Sequence, residues 1–176
     1  YKTTDFVENN LEAAKLYGAI GRHTLEIGSY AKALNGYVTM NDRHAADSVM
    51  SICIPLTREY PDGEASLFPA ILGYTIDFGS PDDIKAFLDN YGDFELDRDA
   101  AMDFARGYSK IGELDKAWDM ITSVSPGAHP ADSLKYATVK LDILERQGKY
   151  EEAFDLYRDY SAMLERYQKD LSLIHI

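Results

Sequence analysis

Cysteine and basic residues are scarce in this chain of 176 residues, and each scarcity excludes a class of protein. The single cysteine, Cys53, cannot form a disulfide within the chain, which excludes a disulfide-stabilised scaffold. Only 18 Lys and Arg residues stand against 30 Asp and Glu residues, giving a net charge of −12. Because nucleic-acid-binding domains present a basic face, we expect no nucleic-acid partner.

Long hydrophobic runs and catalytic motifs are also missing from the sequence. No stretch approaches the roughly 18 apolar residues of a membrane span, so we expect none in this segment. The four histidines are isolated, and none has a second ligand-type residue at the spacing of a metal site. No GxSxG, P-loop or GxGxxG motif occurs. We therefore expect no metal, no cofactor and no enzymatic activity.

Hydrophobic residues make up 45% of the chain, enough to build a continuous core, and one pattern recurs within them. It is anchored on Gly28, Gly79, Gly112 and Gly148. Five residues after these glycines stand Ala33, Ile84, Ala117 and Ala153, and nine residues after them stand Tyr37, Leu88, Ile121 and Tyr157. Glycine just past a helix end adopts the left-handed conformation at little cost. The pattern therefore predicts a helix, a glycine that ends it and a second helix that returns along the first.

The chain resembles the tetratricopeptide repeat family, most clearly in the copy around Gly112, which contains Phe104-Ala105, Tyr108, Gly112, Ala117 and Ile121. The copy at Gly28 follows the pattern nearly as well, whereas those at Gly79 and Gly148 are degenerate. The resemblance implies an all-α, right-handed solenoid of antiparallel helix pairs, about nine helices in one domain over residues 1–176. An unrelated bundle of helical hairpins is the alternative.

Two segments depart from the repeat. Residues 43–60 form an additional helix, and Pro55 within it predicts a bend. Residues 161–176 extend the final helix beyond one repeat, where they either cap the array or lead into a further segment. A clear helix start lies between them, because Ser80 is a capping residue followed by Pro81 and two aspartates.

In tetratricopeptide proteins the first helices of the pairs line a concave groove for a peptide, and the resemblance implies the same use here. The predicted groove residues are Lys15, Arg22, Met102, Arg106, Lys135 and Asp142. Arg22 and Arg106 have the same offset from their glycines, which predicts a positive strip that selects an acidic peptide. The carboxylate clamp of chaperone-binding members is not reproduced, since Ala19, Asp103 and Val139 occupy its places.

The function expected from this resemblance is a non-enzymatic scaffold that binds a protein or peptide. The tyrosine-rich repeats and the long final helix resemble sensing or docking segments of larger bacterial regulatory proteins. The first residue is not Met, as expected of a fragment or of a processed product. A carbohydrate-binding or enzyme accessory domain is the alternative, with Tyr91, Trp118 and Tyr157 stacking on sugars. The sequence leaves open the oligomeric state. It also leaves open the compartment, which is either the cytoplasm or the bacterial periplasm or cell envelope.

Overall fold

The computed structural model describes residues 2–92, 96–127 and 129–174. Within these ranges the chain is all-helical, without strands, and contains one short 3-10 helix, Pro61–Gly63. The α-helices are α1 (Lys2–Ala19), α2 (His23–Thr39), α3 (Arg43–Glu59), α4 (Glu64–Phe78), α5 (Pro81–Tyr91), α6 (Arg98–Lys110), α7 (Leu114–Thr122), α8 (Pro130–Arg146) and α9 (Tyr150–Ile174).

One type of turn joins four pairs of consecutive helices. The left-handed residues of these turns are Gly21 (φ 69°), Asn41 (φ 55°), Gly112 (φ 83°) and Gly148 (φ 72°). The following backbone N–H donates to the carbonyl five residues earlier, as from Arg22 to Tyr17 at 2.9 Å and from Glu113 to Tyr108 at 3.0 Å. This bond satisfies a carbonyl that the helix end leaves unpaired. The predicted turns at Gly112 and Gly148 are confirmed.

The predicted end of the first helix at Gly28 is wrong, because α1 ends at Ala19 and Gly28 lies inside α2. The turn is at Gly21 instead. Five residues after the turn stands Glu26, where the other three turns have Ala46, Ala117 and Ala153. Gly18 of the preceding helix makes space for the Glu26 side chain, because a Cβ at Gly18 would lie 2.6 Å from Glu26 Oε1.

The helix start predicted at Ser80 is confirmed. Gly79 ends α4 in an extended conformation, with φ −70° and ψ 156°. Asp83 N donates to Ser80 Oγ at 3.2 Å, and Ser80 N donates to Asp83 Oδ2 at 3.0 Å. This reciprocal pair satisfies two backbone donors at the start of α5. The Ser80 hydroxyl also donates to Asp83 Oδ2, at 2.7 Å, and this bond, together with that from Ser80 N, lowers the pKa of the Asp83 carboxyl.

The chain divides into two compact units, residues 1–83 and 84–176, and the prediction of one continuous domain stays a prediction. In unit 1, α2 is the central helix and packs against α1, α3 and α4. Its Ile27 and Leu34 are fully buried, and each contributes about 1.5–3 kcal/mol. The segment predicted as an additional helix is α3, which continues through Pro55 and is capped by Asp42.

In unit 2, α6 packs against α7 and α8, and α8 packs against α9. Seven of its 13 residues are buried, so α6 is the core helix of this unit. Phe104, Ile121 and Ile143 are fully buried around it. The long α9 contains most of the predicted 161–176 extension, but His175 and Ile176 lie outside the described residues. Whether this extension caps the array or leads onward stays a prediction.

Candidate functional site

A groove lies along α2 in unit 1, between α1 and α4, and encloses a cavity of about 490 Å³. We call it the α2 groove. Its lining residues are Asn10, Ala13 and Tyr17 of α1, Thr24, Leu25, Gly28, Ser29, Ala31, Lys32 and Asn35 of α2, and Ser66 and Pro69 of α4. The volume falls within the range of ligand sites, roughly 300–1,000 Å³.

Gly28 keeps the α2 groove open at its middle. A Cβ added there would meet only the Ser66 Cβ, at 4.0 Å. Gly36 on the same helix differs, because a Cβ there would overlap the Val7 side chain of α1. Glycine inside a helix costs about 1 kcal/mol relative to alanine. Close packing of α1 on α2 explains Gly36, whereas no neighbouring side chain fills the space at Gly28.

The α2 groove has an unusual charge for this acidic protein. None of its lining residues is Asp or Glu, and Lys32 is the one charged residue among them. Lys32 is exposed, and no ion pair joins it to another residue in the described part of the chain. Hydroxyls of Thr24 and Ser66 and the amide of Asn35 also line the wall. These groups can donate hydrogen bonds to peptide carbonyls or to a carboxylate.

The predicted groove residues of unit 1 do not line this cavity. Lys15 is exposed on α1, and Arg22 is exposed in the turn between α1 and α2. Arg106, in contrast, lies in the middle of α6. The predicted equivalence of Arg22 and Arg106 is therefore wrong, because it counted from Gly28 and the turn is at Gly21.

The predicted groove residues of unit 2 come together on α6 and α8, but acidic partners neutralise their charge. Arg106 and Lys135 both approach Asp103 Oδ1, at 3.7 Å and 3.4 Å. Asp142 accepts hydrogen bonds from Ser109 Oγ at 2.6 Å and from Arg146 Nε at 2.9 Å. This arrangement joins α6 to α8 and engages Arg106 and Lys135 in ion pairs with Asp103.

Met102 was placed in the peptide groove by its offset, and that placement is wrong. Its side chain is fully buried in the core of unit 2. The physical reason is that α6 buries residues on most of its circumference, including Ala101 and Ala105. A helix surrounded by other helices has no free face for a ligand at this position.

Sequence reasoning missed the groove residues on α2. Thr24, Gly28, Lys32 and Asn35 recur at intervals of four, four and three residues, so they share one helix face. An internal glycine on a polar helix face was the available signal. The repeat pattern instead predicts a helix end at Gly28, which hides this signal.

A second polar cluster in unit 1 surrounds the buried Glu26. His23 Nδ1 lies 2.9 Å from Glu26 Oε2, and the His23 ring stacks on Tyr60 with centroids 3.8 Å apart. Burial, with the Glu26 charge nearby, raises the pKa of the Cys53 thiol to about 12. The thiolate is the nucleophilic form of cysteine, so Cys53 behaves as a core residue at neutral pH.

The aromatic residues proposed for sugar stacking differ in exposure. Tyr91 and Trp118 are half-buried, and Tyr157 is 54% exposed. The Trp118 ring already contacts two ammonium groups, Lys149 Nζ at 4.8 Å and Lys140 Nζ at 5.3 Å from its centroid. These cation–π contacts occupy the ring that a sugar would need.

Comparison of the chain with protein-family models, curated proteins and solved structures gives no match. The tetratricopeptide resemblance therefore depends on the repeated turns and offsets. No helix in the described ranges has both the length and the apolar character needed to cross a bilayer. Across the same residues, no group of three or more His, Cys, Asp or Glu side chains is arranged to hold a metal ion.

Proposed function

We propose that this protein is a non-enzymatic scaffold that binds an extended peptide segment of a partner protein in the α2 groove. The observation that carries the proposal is the space at Gly28, where a helix-destabilising glycine lines the groove although a Cβ there would meet only the Ser66 Cβ, at 4.0 Å. A strand-like peptide backbone is slim enough to approach such a glycine closely.

The wider architecture in this proposal is a right-handed solenoid of antiparallel helix pairs, similar to tetratricopeptide arrays. Four left-handed turns with the same hydrogen bond support it, and so do the alanines five residues after three of them. In such an array the peptide site serves as a sensing or docking segment of a larger regulatory protein of a bacterium.

The chemistry of the α2 groove favours an acidic peptide or one that presents a carboxylate. Lys32 supplies the positive charge, and no lining carboxylate opposes it. Its charge-assisted hydrogen bonds are exposed, so affinity should fall as salt is raised.

The test is selection of extended acidic peptides from a displayed library, followed by fluorescence anisotropy with the selected peptides. Gly28→Gln should remove binding while raising the free energy of unfolding by up to about 1 kcal/mol, because glutamine is a better helix former. Lys32→Gln should weaken binding about tenfold. Arg58→Gln is the matched control, since Arg58 is an exposed cation of unit 1 outside the groove.

Two results would contradict this function. One is a selected peptide whose affinity is the same for Gly28→Gln and for the parent protein. The other is an equal loss of affinity in Lys32→Gln and Arg58→Gln, which would show that the whole acidic molecule, and no particular groove, determines binding.

A second candidate function rests on a cavity of about 490 Å³ in unit 2, between α8 and α9. Its lining includes the half-buried tyrosines Tyr136, Tyr160 and Tyr167, together with Asp159 and Arg166. Aromatic faces beside charged groups suit a carbohydrate. Binding of an oligosaccharide panel that Tyr160→Ala abolishes, with the α2 groove variants unaffected, would favour this candidate over peptide binding.

A further inference from the structure

Three aromatic residues form an exposed stripe on the first half of α9. Tyr150, Phe154 and Tyr157 are 71%, 66% and 54% exposed. They are spaced by four and three residues, so they lie on one face of the helix. We call these residues the α9 stripe. A contiguous exposed aromatic surface of this kind marks an interaction site.

The α9 stripe has an equivalent on α7 that is covered. Leu114, Trp118 and Ile121 stand two, six and nine residues after Gly112, as the stripe residues do after Gly148. On α7 this face meets α8: Ile121 is buried, the Trp118 ring contacts Lys140, and Gln147 Nε2 donates to the Leu114 carbonyl. In the preceding helix pair, the face equivalent to the α9 stripe therefore packs against another helix.

The α9 stripe is separate from the face that α9 buries within unit 2. Ala153 is buried and Leu156 and Tyr160 are half-buried, at positions rotated by about 100° from the stripe. α9 thus has two apolar faces, and α8 covers the first of them.

The charges that border the α9 stripe are self-complementary. Glu151 and Arg158 lie along the same edge of the stripe, three residues before and four residues after Phe154. Glu152 and Asp159 lie on the opposite side of the helix. Arg158 is 65% exposed and contacts Asp155 and Asp159 only at the surface, so its guanidinium can also reach another molecule.

From this pattern we propose that the α9 stripe binds the α9 stripe of a second copy of the same chain, with the two helices antiparallel. Phe154 then lies near the two-fold axis, and Glu151 of each copy lies beside Arg158 of the other. An isologous contact of this kind uses one surface twice and closes the dimer. The opposite charges favour the antiparallel arrangement, because in a parallel two-fold pair the same edge of the two helices lies on opposite flanks of the contact, where Glu151 and Arg158 cannot meet.

The size of the contact predicts a reversible dimer. Full burial of an aromatic side chain covers about 150–250 Å², and more than half of each ring in the stripe is exposed. Six rings therefore bury roughly 500–1,000 Å² in total. This is below the roughly 1,200 Å² of a stable interface, so we expect dissociation at low protein concentration.

Sedimentation velocity of the full chain over about 5–500 µM tests the proposal. The parent protein should shift from monomer to dimer across this range. Phe154→Glu should remain monomeric, because it places two carboxylates near the two-fold axis. Ile20→Glu is the matched control, since Ile20 is equally exposed at 70% but lies in unit 1, and it should dimerise as the parent does.

A charge exchange tests the antiparallel register. Glu151→Arg and Arg158→Glu should each weaken the dimer by roughly tenfold, because each places like charges side by side. The double variant Glu151→Arg/Arg158→Glu should restore the parent dissociation constant. All variants carry exposed substitutions, and circular dichroism checks that they remain helical.

The proposal is overturned if the parent is monomeric at every concentration, which would leave the α9 stripe to a different partner protein. It is also overturned if Phe154→Glu dimerises like the parent, or if the double charge exchange fails to restore association. None of these outcomes depends on whether the α2 groove binds a peptide.

Discussion

Two glycines of α2 differ in how closely other residues pack around them, although they are only two turns apart on the same helix. At Gly36 a side chain would collide with Val7, so the glycine permits close packing of α1 on α2. At Gly28 a Cβ would reach only Ser66, at 4.0 Å. The same residue type thus stabilises the fold at one position and leaves open space at the other.

This difference predicts stability changes of opposite sign. Gly36→Ala should lower the free energy of unfolding by about 1–3 kcal/mol through overpacking. Gly28→Ala should raise it by up to about 1 kcal/mol, because alanine is the better helix former and its Cβ fits. Urea unfolding followed by circular dichroism measures both changes. Equal losses in the two variants would show that Gly28 also faces packed atoms.

Cys53 predicts a pH effect whose sign follows from its shifted pKa. Burial raises the pKa of the folded-state thiol from 9.0 to about 12. Below pH 9 the thiol is protonated in both states, whereas above it the unfolded state loses the proton first. The stability gained at Cys53 is therefore present below pH 9 and is lost as the pH rises toward 12.

The measurement is the free energy of unfolding of the parent and of Cys53→Ala between about pH 8 and pH 11. The parent should lose more stability than the variant over this range, since both share the same tyrosine titrations. Parallel curves for the two proteins would contradict the assignment. Native Cys53 should also resist alkylation at pH 8 and react once the protein is unfolded.

At the scale of the elements, the left-handed turns are the features most open to a direct test. Gly112→Ala and Gly148→Ala should each cost about 1–2 kcal/mol, because alanine is strained at positive φ. Asn41→Gly should leave stability unchanged or raise it slightly, since Asn41 already has a φ of 55°. Thermal unfolding compares the three variants. A neutral Gly112→Ala would indicate that the turn relaxes to another conformation.

The turns could be predicted from the sequence only where the small residue of a helix pair follows the turn glycine. After Gly112 and Gly148 the small residue is Ala117 or Ala153, and both turns were predicted. In the first pair the small residue is Gly18, on the preceding helix, where it accommodates Glu26. A pattern that searches for alanine after glycine therefore selects the wrong turn in the first pair.

The candidate site was less predictable than the helices, because it depends on which faces the packing leaves open. The offset of Met102 predicts exposure, but the surroundings of α6 bury it, whereas Thr24, for which no site role is predicted, lines the α2 groove. Periodicity identifies faces of single helices. It does not identify which of two faces a third helix will cover.

At the scale of the whole molecule, each unit is organised around one central helix, α2 or α6, and its remaining surface is strongly acidic. Ion pairs such as that of Lys85 with Glu113, at 3.1 Å, connect neighbouring helices of unit 2 locally. They compensate only part of the charge, since 30 acidic residues face 18 basic ones. The proposed peptide groove and the α9 stripe are surfaces where this acidic excess is interrupted.

The net charge predicts how the whole molecule responds to salt. A charge of −12 makes the folded state repel itself, and salt screens this repulsion. The melting temperature at pH 8 should therefore rise between about 10 and 300 mM NaCl. Near the isoelectric point of about 4.6 the net charge vanishes, so the same salt addition should have little effect. Circular dichroism melts at both pH values, at micromolar protein to keep the chain monomeric, give the comparison. An equal rise at the two pH values would assign the effect to general salting-out of apolar surface, in which case self-repulsion does not limit the stability of this fold.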